Sequence, residues 1–259
     1  MAAPLRVWRE REGRLLRVRL SRPKANVLDA ETVAALDVAL DAAGRPAAGE
    51  PVLRGVLLDA EGQHFSFGAS VEEHLPDRCA GMLHGFHALL LRMLELPVPV
   101  LVAVKGQCLG GGLELATAGG LVFASPDAKL GQPEIVLGVF APAASCLLPE
   151  RIGPAAAEDL LLSGRSIDAQ EALRLGLVAA VADDPEAAAL AWFDAHLAKK
   201  SAAALGYALR AARAGMVERV RSKLGTLEAM YLSGLMSTRD ATEGLTAFLE
   251  KRPATWEDR

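Results

Sequence analysis

Two glutamates stand in a part of the chain that is otherwise nearly free of charge. Glu114 lies in G-G-G-L-E-L-A, directly after Gly110-Gly111-Gly112, and Glu134 follows twenty residues later in G-Q-P-E-I. Two neighbouring carboxyls can hold a proton at one site and take one up at the other, which is the equipment of general acid and base chemistry. The glycines add a place for developing negative charge. Where a strand turns sharply into a helix, the first helical N–H groups lack intrahelical partners and the positive end of the dipole faces outward. Glycine, having no Cβ, lets an oxygen come close to those donors. Proton transfer beside a carbonyl would use all three parts. Each acid also has a plainer reading, Glu114 as a first-turn acid favoured by the dipole and Glu134 as an exposed loop charge.

The elements that must position them can be read from the apolar pattern. Residues 98–104 (V-P-V-L-V-A-V) form a β-branched run suited to a buried strand, 113–118 have helical composition, and 121–124 give another short strand. Upstream, L-L-R-V-R-L at 15–20 alternates apolar and basic residues, predicting a strand with one wet face. Asp29 is a candidate N-cap for a helix whose inward stripe is Val33, Leu36 and Leu40, closed by Gly44-Arg45-Pro46. A strand at 52–60 leads through E-G-Q-H-F-S-F-G-A-S-V into a helical segment around 79–94. Downstream come two short helices divided by Gly153-Pro154, a cap at Ser166-Ile167-Asp168, a strand at 177–182, and helix from Pro185 onward. Strands and helices alternating at this spacing predict an α/β arrangement with largely parallel pairing. Val220, Leu224, Leu227, Tyr231 and Leu235 make an apolar stripe that either covers the domain's own core or joins subunits.

Composition narrows the function. With 259 residues, 51% hydrophobic and 23% charged, the chain is long enough for one large domain with a helical appendage, and a net charge of −4 argues against a nucleic-acid binder. Cys79, Cys108 and Cys146 are odd in number with no C-x-x-C pair, which favours reduced thiols and a cytoplasmic setting; Cys146 is read as a buried thiol rather than a nucleophile. No apolar run reaches membrane-spanning length, and the first residues carry acids and no apolar leader core. His84 and His87 have H-x-x-H spacing, but without a third ligand they are expected on a helix surface, with no metal. His64 and His74 flank a loop that could line a pocket or stay solvated. Dinucleotide, phosphate-loop and serine-nucleophile motifs do not appear at the glycine turn or elsewhere.

Taken together, H-F-S-F-G-A-S-V, C-L-G-G-G-L-E-L-A and K-L-G-Q-P-E-I-V-L-G resemble the crotonase (enoyl-CoA hydratase/isomerase) superfamily, with further likeness in R-P-K-A-N, S-G-R-S-I-D-A-Q-E-A-L-R-L-G-L-V and E-G-L-T-A-F-L-E-K-R. The resemblance implies a spiral of βαβ units over residues 1–198 and a C-terminal helical trimerisation region over 199–259, assembling as a trimer or a dimer of trimers. It implies an acyl-CoA thioester substrate, with coenzyme A part of the substrate rather than a cofactor. Its carbonyl oxygen would accept from the backbone N–H groups of Ala69 and Gly111, while Glu114 and Glu134 in the hydratase positions favour addition of water. Lys24, Ala25, Gly68 and Lys251 would meet coenzyme A, with Lys251 and Arg252 reaching a neighbouring subunit's ligand. Two departures point to a different acyl pocket: Ser70 stands where G-A-D-I has an acid, and A-P-A-A-S at 141–145 replaces P-G-A-G-G. Pro142 is stiffer than glycine and has no N–H. Phe67, Ser70, His74, Phe140 and Pro142 are the expected acyl-pocket residues, and the combination looks most like family members that hydrate a cyclic diene conjugated to the thioester.

Overall fold

The computed structural model describes residues 3–45 and 48–259, so Pro46, expected to close the first helix, lies outside the described residues. The chain opens with β1 (Leu5–Glu10) and β2 (Leu15–Leu20), followed by α1 (Ala30–Gly44), β3 (Gly55–Ala60) and α2 (Cys79–Glu95). The central stretch gives β4 (Val100–Val104), β5 (Gln107–Leu109), α3 (Gly111–Gly119), β6 (Gly120–Ala124) and β7 (Lys129–Gly131). Then come α4 (Pro142–Ile152), α5 (Pro154–Ser163), β8 (Ser166–Asp168), α6 (Ala169–Leu175), β9 (Ala180–Val181), α7 (Pro185–His196), α8 (Ala202–Ser233) and α9 (Arg239–Leu249). Short 3-10 turns lie at Val71–His74, Pro133–Leu137 and Leu235–Ser237.

The larger sheet runs β1-β2-β3-β4-β6-β9. Only β1 and β2 pair antiparallel; the rest is parallel. Its central strands are covered on both faces, which is why residues 100–104 read as unbroken hydrophobics. The period-two alternation splits them cleanly. Leu57, Leu101, Ala103 and Phe123 pack with Ala189 and Phe193 of α7. Val56, Leu58, Val100, Val102 and Val122 face the main core with Leu36, Leu90 and Leu115 from α1, α2 and α3. The late strand shrinks to β9 because only Phe123 and Ala124 offer it partners.

β2 departs from expectation. Its basic face is buried: Arg17 donates to Asp59, Glu10 and Glu186, and Arg19 to Asp59 and Glu186. Both guanidinium groups also lie over the Trp8 ring, at 4.8 and 5.3 Å from its centroid. Strand alternation shows only which residues share a face; the carboxylates that pair with that face come from β1, β3 and α7.

The smaller sheet, β5-β7-β8, builds the site. β5 and β7 are parallel with Leu109 opposite Gly131, and Gly110 N donates to Gly131 O at 2.9 Å. The two strands therefore end side by side, one running into the glycine turn and Glu114, the other into Gln132-Pro133-Glu134. A parallel bridge from Ser66 to Cys108 lays residues 66–69 against β5, and another joins Leu28 to Ala69. Four consecutive layers of chain thus deliver their ends to one place.

Candidate active site

Glu114 occupies the first turn of α3, and every residue of that helix is buried. Gly110, with φ 52° and ψ −127°, holds the chain in a conformation that suits glycine, and the helix begins at Gly111, before the residue where helical composition starts. A Cβ on Gly111 would sit 3.1 Å from Ala69 N, and one on Gly68 would sit 3.3 Å from Gly111 N. The backbone at Ala69 and the backbone at Gly111 therefore lie against one another. Gly111 N is a first-turn donor with no intrahelical acceptor, and among the described residues neither amide donates to a backbone carbonyl.

Both glutamates line the same cavity, together with Gly68, Ala69, Gly110 and Gly111. Glu114 is 6% exposed, and its Oε1 accepts from Ala144 N at 2.7 Å. That donor is the third residue of α4, so Glu114 takes the place of a cap for a helix whose first residue, Pro142, has no N–H to offer. Burial pushes Glu114 up to about 7, partly opposed by the Ala144 bond. Glu134 sits so near the turn that a Cβ on Gly110 would lie 2.6 Å from its Oε1. Burial first, and then the charge of Glu114, push Glu134 up to about 8. Turned with its NH2 toward Glu134, the Gln132 amide donates to Oε1 at 3.0 Å and Oε2 at 2.9 Å. Two acids so raised hold protons near neutrality and titrate as one system.

A family model for enoyl-CoA hydratase/isomerase matches residues 10–259. The chain belongs to the enoyl-CoA hydratase/isomerase family. It is 62% identical to a cyclohexa-1,5-dienecarbonyl-CoA hydratase of Thauera aromatica, covering 100% of this chain and 98% of that one. It is 35% identical to a probable enoyl-CoA hydratase of Bacillus subtilis, covering 89% and 90% of the two chains. The crystal structure of an enoyl-CoA hydratase from Mycobacterium avium superposes with a TM-score of 0.86 at 27% identity, covering 99% and 100%. The spiral α/β architecture of this enoyl-CoA hydratase/isomerase family member is thus the one its motifs implied.

Of the expected acyl-pocket residues, Phe67, His74, Phe140 and Pro142 line the cavity. Ser70 does not; it sits behind the wall, where its carbonyl oxygen lies 2.8 Å from His74 Nδ1. His74 is held below the ordinary imidazole value by burial, against that carbonyl, so it is neutral at pH 7. Lys24, Ala25 and Lys251 lie outside the cavity wall. The two lysines are exposed, while Ala25 O accepts from Phe67 N at 2.9 Å and so ties the Lys24 segment to the loop leading into Gly68. Arg252 is engaged by Glu243 and Glu250.

The structure corrects the surface placement of His87. It is 4% exposed and lines the cavity, with Nδ1 2.6 Å from Glu228 Oε2, while the exposed His84 meets the other oxygen at 2.9 Å. Glu228 comes from α8, which packs over α2, and no local pattern in α2 announces it. Sequence reasoning also missed Ala144, Gln132 and the cavity position of Tyr231. Tyr231 had a signal: a polar-tipped side chain inside an apolar helical stripe. All three cysteines are buried, and burial raises each thiol, Cys146 to about 12, which removes the thiolate a nucleophile requires. Among the described residues no group of three or more His, Cys, Asp or Glu could hold a metal ion, and no helix is long and apolar enough to cross a membrane.

Proposed function

We propose that the protein is a hydro-lyase that adds water 1,4 across cyclohexa-1,5-diene-1-carbonyl-CoA, giving 6-hydroxycyclohex-1-ene-1-carbonyl-CoA, as a step of anaerobic benzoyl-CoA degradation in the cytoplasm. The observation that carries the hydratase reading is that Glu114, Glu134, Ala69 and Gly111 line one cavity. The ring is favoured by the relative at 62% identity and by a wall of Phe67, Phe86, Phe140 and Pro142. Pro142 opens α4 where glycine would leave a mobile, open wall.

The thioester oxygen accepts from the Ala69 and Gly111 amides, which strengthen their grip as electrons flow onto it. One ionised carboxyl takes a proton from water while its oxygen bonds to the β-carbon. The electron pair of that double bond passes through the α-carbon to the carbonyl oxygen, giving an enolate conjugated with the second ring double bond. The other, protonated carboxyl delivers its proton to the far end of the diene, and the remaining double bond settles beside the thioester. The shared proton of the pair is what keeps one acid neutral and one ionised near pH 7. Coenzyme A enters as part of the substrate, and the steps use no further cofactor. Lys24, Ala25 and Gly68 would meet coenzyme A, with Lys251 supplied by a neighbouring subunit.

An apolar groove lined by Ile135, Phe140, Leu161, Leu162, Leu227 and Met230 supports assembly into a trimer or a dimer of trimers through the C-terminal helices over 199–259. The chemical test is direct. Incubation with the cyclic dienoyl-CoA should give a product one water heavier with the thioester intact, and E114Q and E134Q should each lower kcat by about 10²–10⁴-fold with unchanged folding. Turnover of crotonyl-CoA alone, or near-full rates in both variants, would defeat the reading.

A further inference from the structure

Tyr231 is among the largest fully buried side chains, 1% exposed, in the C-terminal half of α8. It lines the cavity that holds Glu114 and Glu134. Its ring leans on Phe140 with centroids 5.5 Å apart and is otherwise embedded among Cys79, Leu83, Val139 and Leu245. Among the described residues its hydroxyl has no hydrogen-bond partner. The other buried unpaired atoms belong to Arg17, Arg54 and Arg151, each of which pairs through its remaining N–H groups. Among the described residues Tyr231 alone leaves its whole buried polar group orphaned. A buried hydroxyl without a partner costs stability, and phenylalanine would fill the same space without that cost. A partner that arrives with the ligand would supply the missing bond.

The chemistry of the ligand says which atom that is. Resting on the substrate reading above, the ring presents only carbon and hydrogen beyond its thioester, whose oxygen goes to the Ala69 and Gly111 amides. The one polar atom brought to the ring itself is the oxygen of the attacking water, which becomes the ring hydroxyl. We infer that the Tyr231 hydroxyl hydrogen-bonds this oxygen, making Tyr231 a substrate-contacting residue that orients the water and recognises the hydroxylated ring. One water O–H is surrendered to the base carboxyl. The second points at the phenol oxygen, which leaves a lone pair aimed at the β-carbon, and that O–H survives as the product hydroxyl still bonded to Tyr231. Burial above all holds the phenol proton on well above its ordinary range. The group is therefore neutral throughout and does not compete with the glutamates for protons.

The test compares two ring esters by calorimetric titration against the full-length wild type and Y231F: 6-hydroxycyclohex-1-ene-1-carbonyl-CoA and cyclohex-1-ene-1-carbonyl-CoA, which lacks only the hydroxyl. Y231F should bind the hydroxylated ester about tenfold or more weakly, bind the plain ester within about twofold of wild type, and lose kcat more than it changes KM. Its Tm without ligand should equal or exceed that of wild type, because an unpaired hydroxyl has gone. Equal weakening of both esters, unchanged affinity for the hydroxylated one, or a lowered Tm would overturn the assignment. Wild type that binds neither ring ester would fell the substrate reading and this inference with it. Wild type that binds both while Y231F treats them alike would fell this inference alone.

Discussion

At Glu114, burial and a single hydrogen bond pull in opposite directions, and burial wins. A carboxyl with an ordinary value of 4.5 is raised to about 7 although Ala144 N donates to it at 2.7 Å. Between those two values the folded protein keeps a proton that the unfolded chain has released, so stability falls as pH rises through the window and levels off above the folded value. Because Glu114 and Glu134 titrate as one system, this loss belongs to the pair. E114Q keeps the acceptor for Ala144 and deletes the titration. In urea unfolding at fixed protein concentration, E114Q should lie nearer to wild type at pH 5 than at pH 8.5, where it should be the more stable of the two. Parallel stability curves across the range would show that Glu114 has an ordinary affinity for protons. The cost is paired with function, since the same dry surroundings allow one acid of the pair to stay protonated at neutral pH.

The helix that carries Glu114 is secured at its far end by two arginines from distant elements. Arg151 Nη2 donates to Thr117 O at 3.0 Å, and Arg213 Nη2 to Gly119 O at 2.5 Å. Arg213 Nη1 reaches Met93 O and Leu94 O at 3.4 and 3.3 Å, so the ends of α2 and α3 share one cation. Burial lowers Arg213 to about 10, which still leaves it charged at pH 7 and favourably placed at the negative end of the α3 dipole. R213M fills similar volume but orphans these carbonyls, and should lower stability by about 2–4 kcal/mol in urea unfolding. The folded fraction should retain kcat within a few-fold, because Arg213 lies outside the cavity wall; an unchanged midpoint would refute the clamp. The contrast with what was legible in the sequence follows from range. Asp29 and Asp168 could be recognised as caps because the donors they accept from lie three residues on, at Thr32 N and Glu171 N. Glu114, Glu134 and the glycine turn were legible as chemistry, but Ala69 only as a family motif, because the Ser66–Cys108 and Leu28–Ala69 bridges and the register of β5 on β7 bring these segments together. Arg213 sits in A-A-R-A-G and His87 in H-G-F-H, where nothing nearby marks them as buried. Their partners lie 94 and 141 residues away along the chain.

Around the mouth of the site the molecule leaves apolar surface that its own fold does not cover. Leu162 is 73% exposed, Val136 62% and Met230 55%, and Leu162 and Met230 share one groove with Ile135 and Phe140. Phe140 belongs also to the wall of the catalytic cavity, so whatever covers this groove braces that wall from outside. Val136 and Ile135 follow Glu134 directly in the Pro133–Leu137 turn, which links the covering surface to the position of a proposed catalytic acid. A second copy of the chain is the cover that the proposed assembly supplies, and activity should then depend on protein concentration as mass action requires. L162E combined with M230E places two charges in the groove, where burial without partners is unfavourable. Sedimentation should find wild type at a multiple of 27.3 kDa and the double variant shifted toward one chain. Its specific activity should fall at least tenfold and recover in part as protein concentration is raised. A double variant that keeps both the mass and the activity of wild type would show that this face stays open to water and that the wall at Phe140 stands without a neighbour.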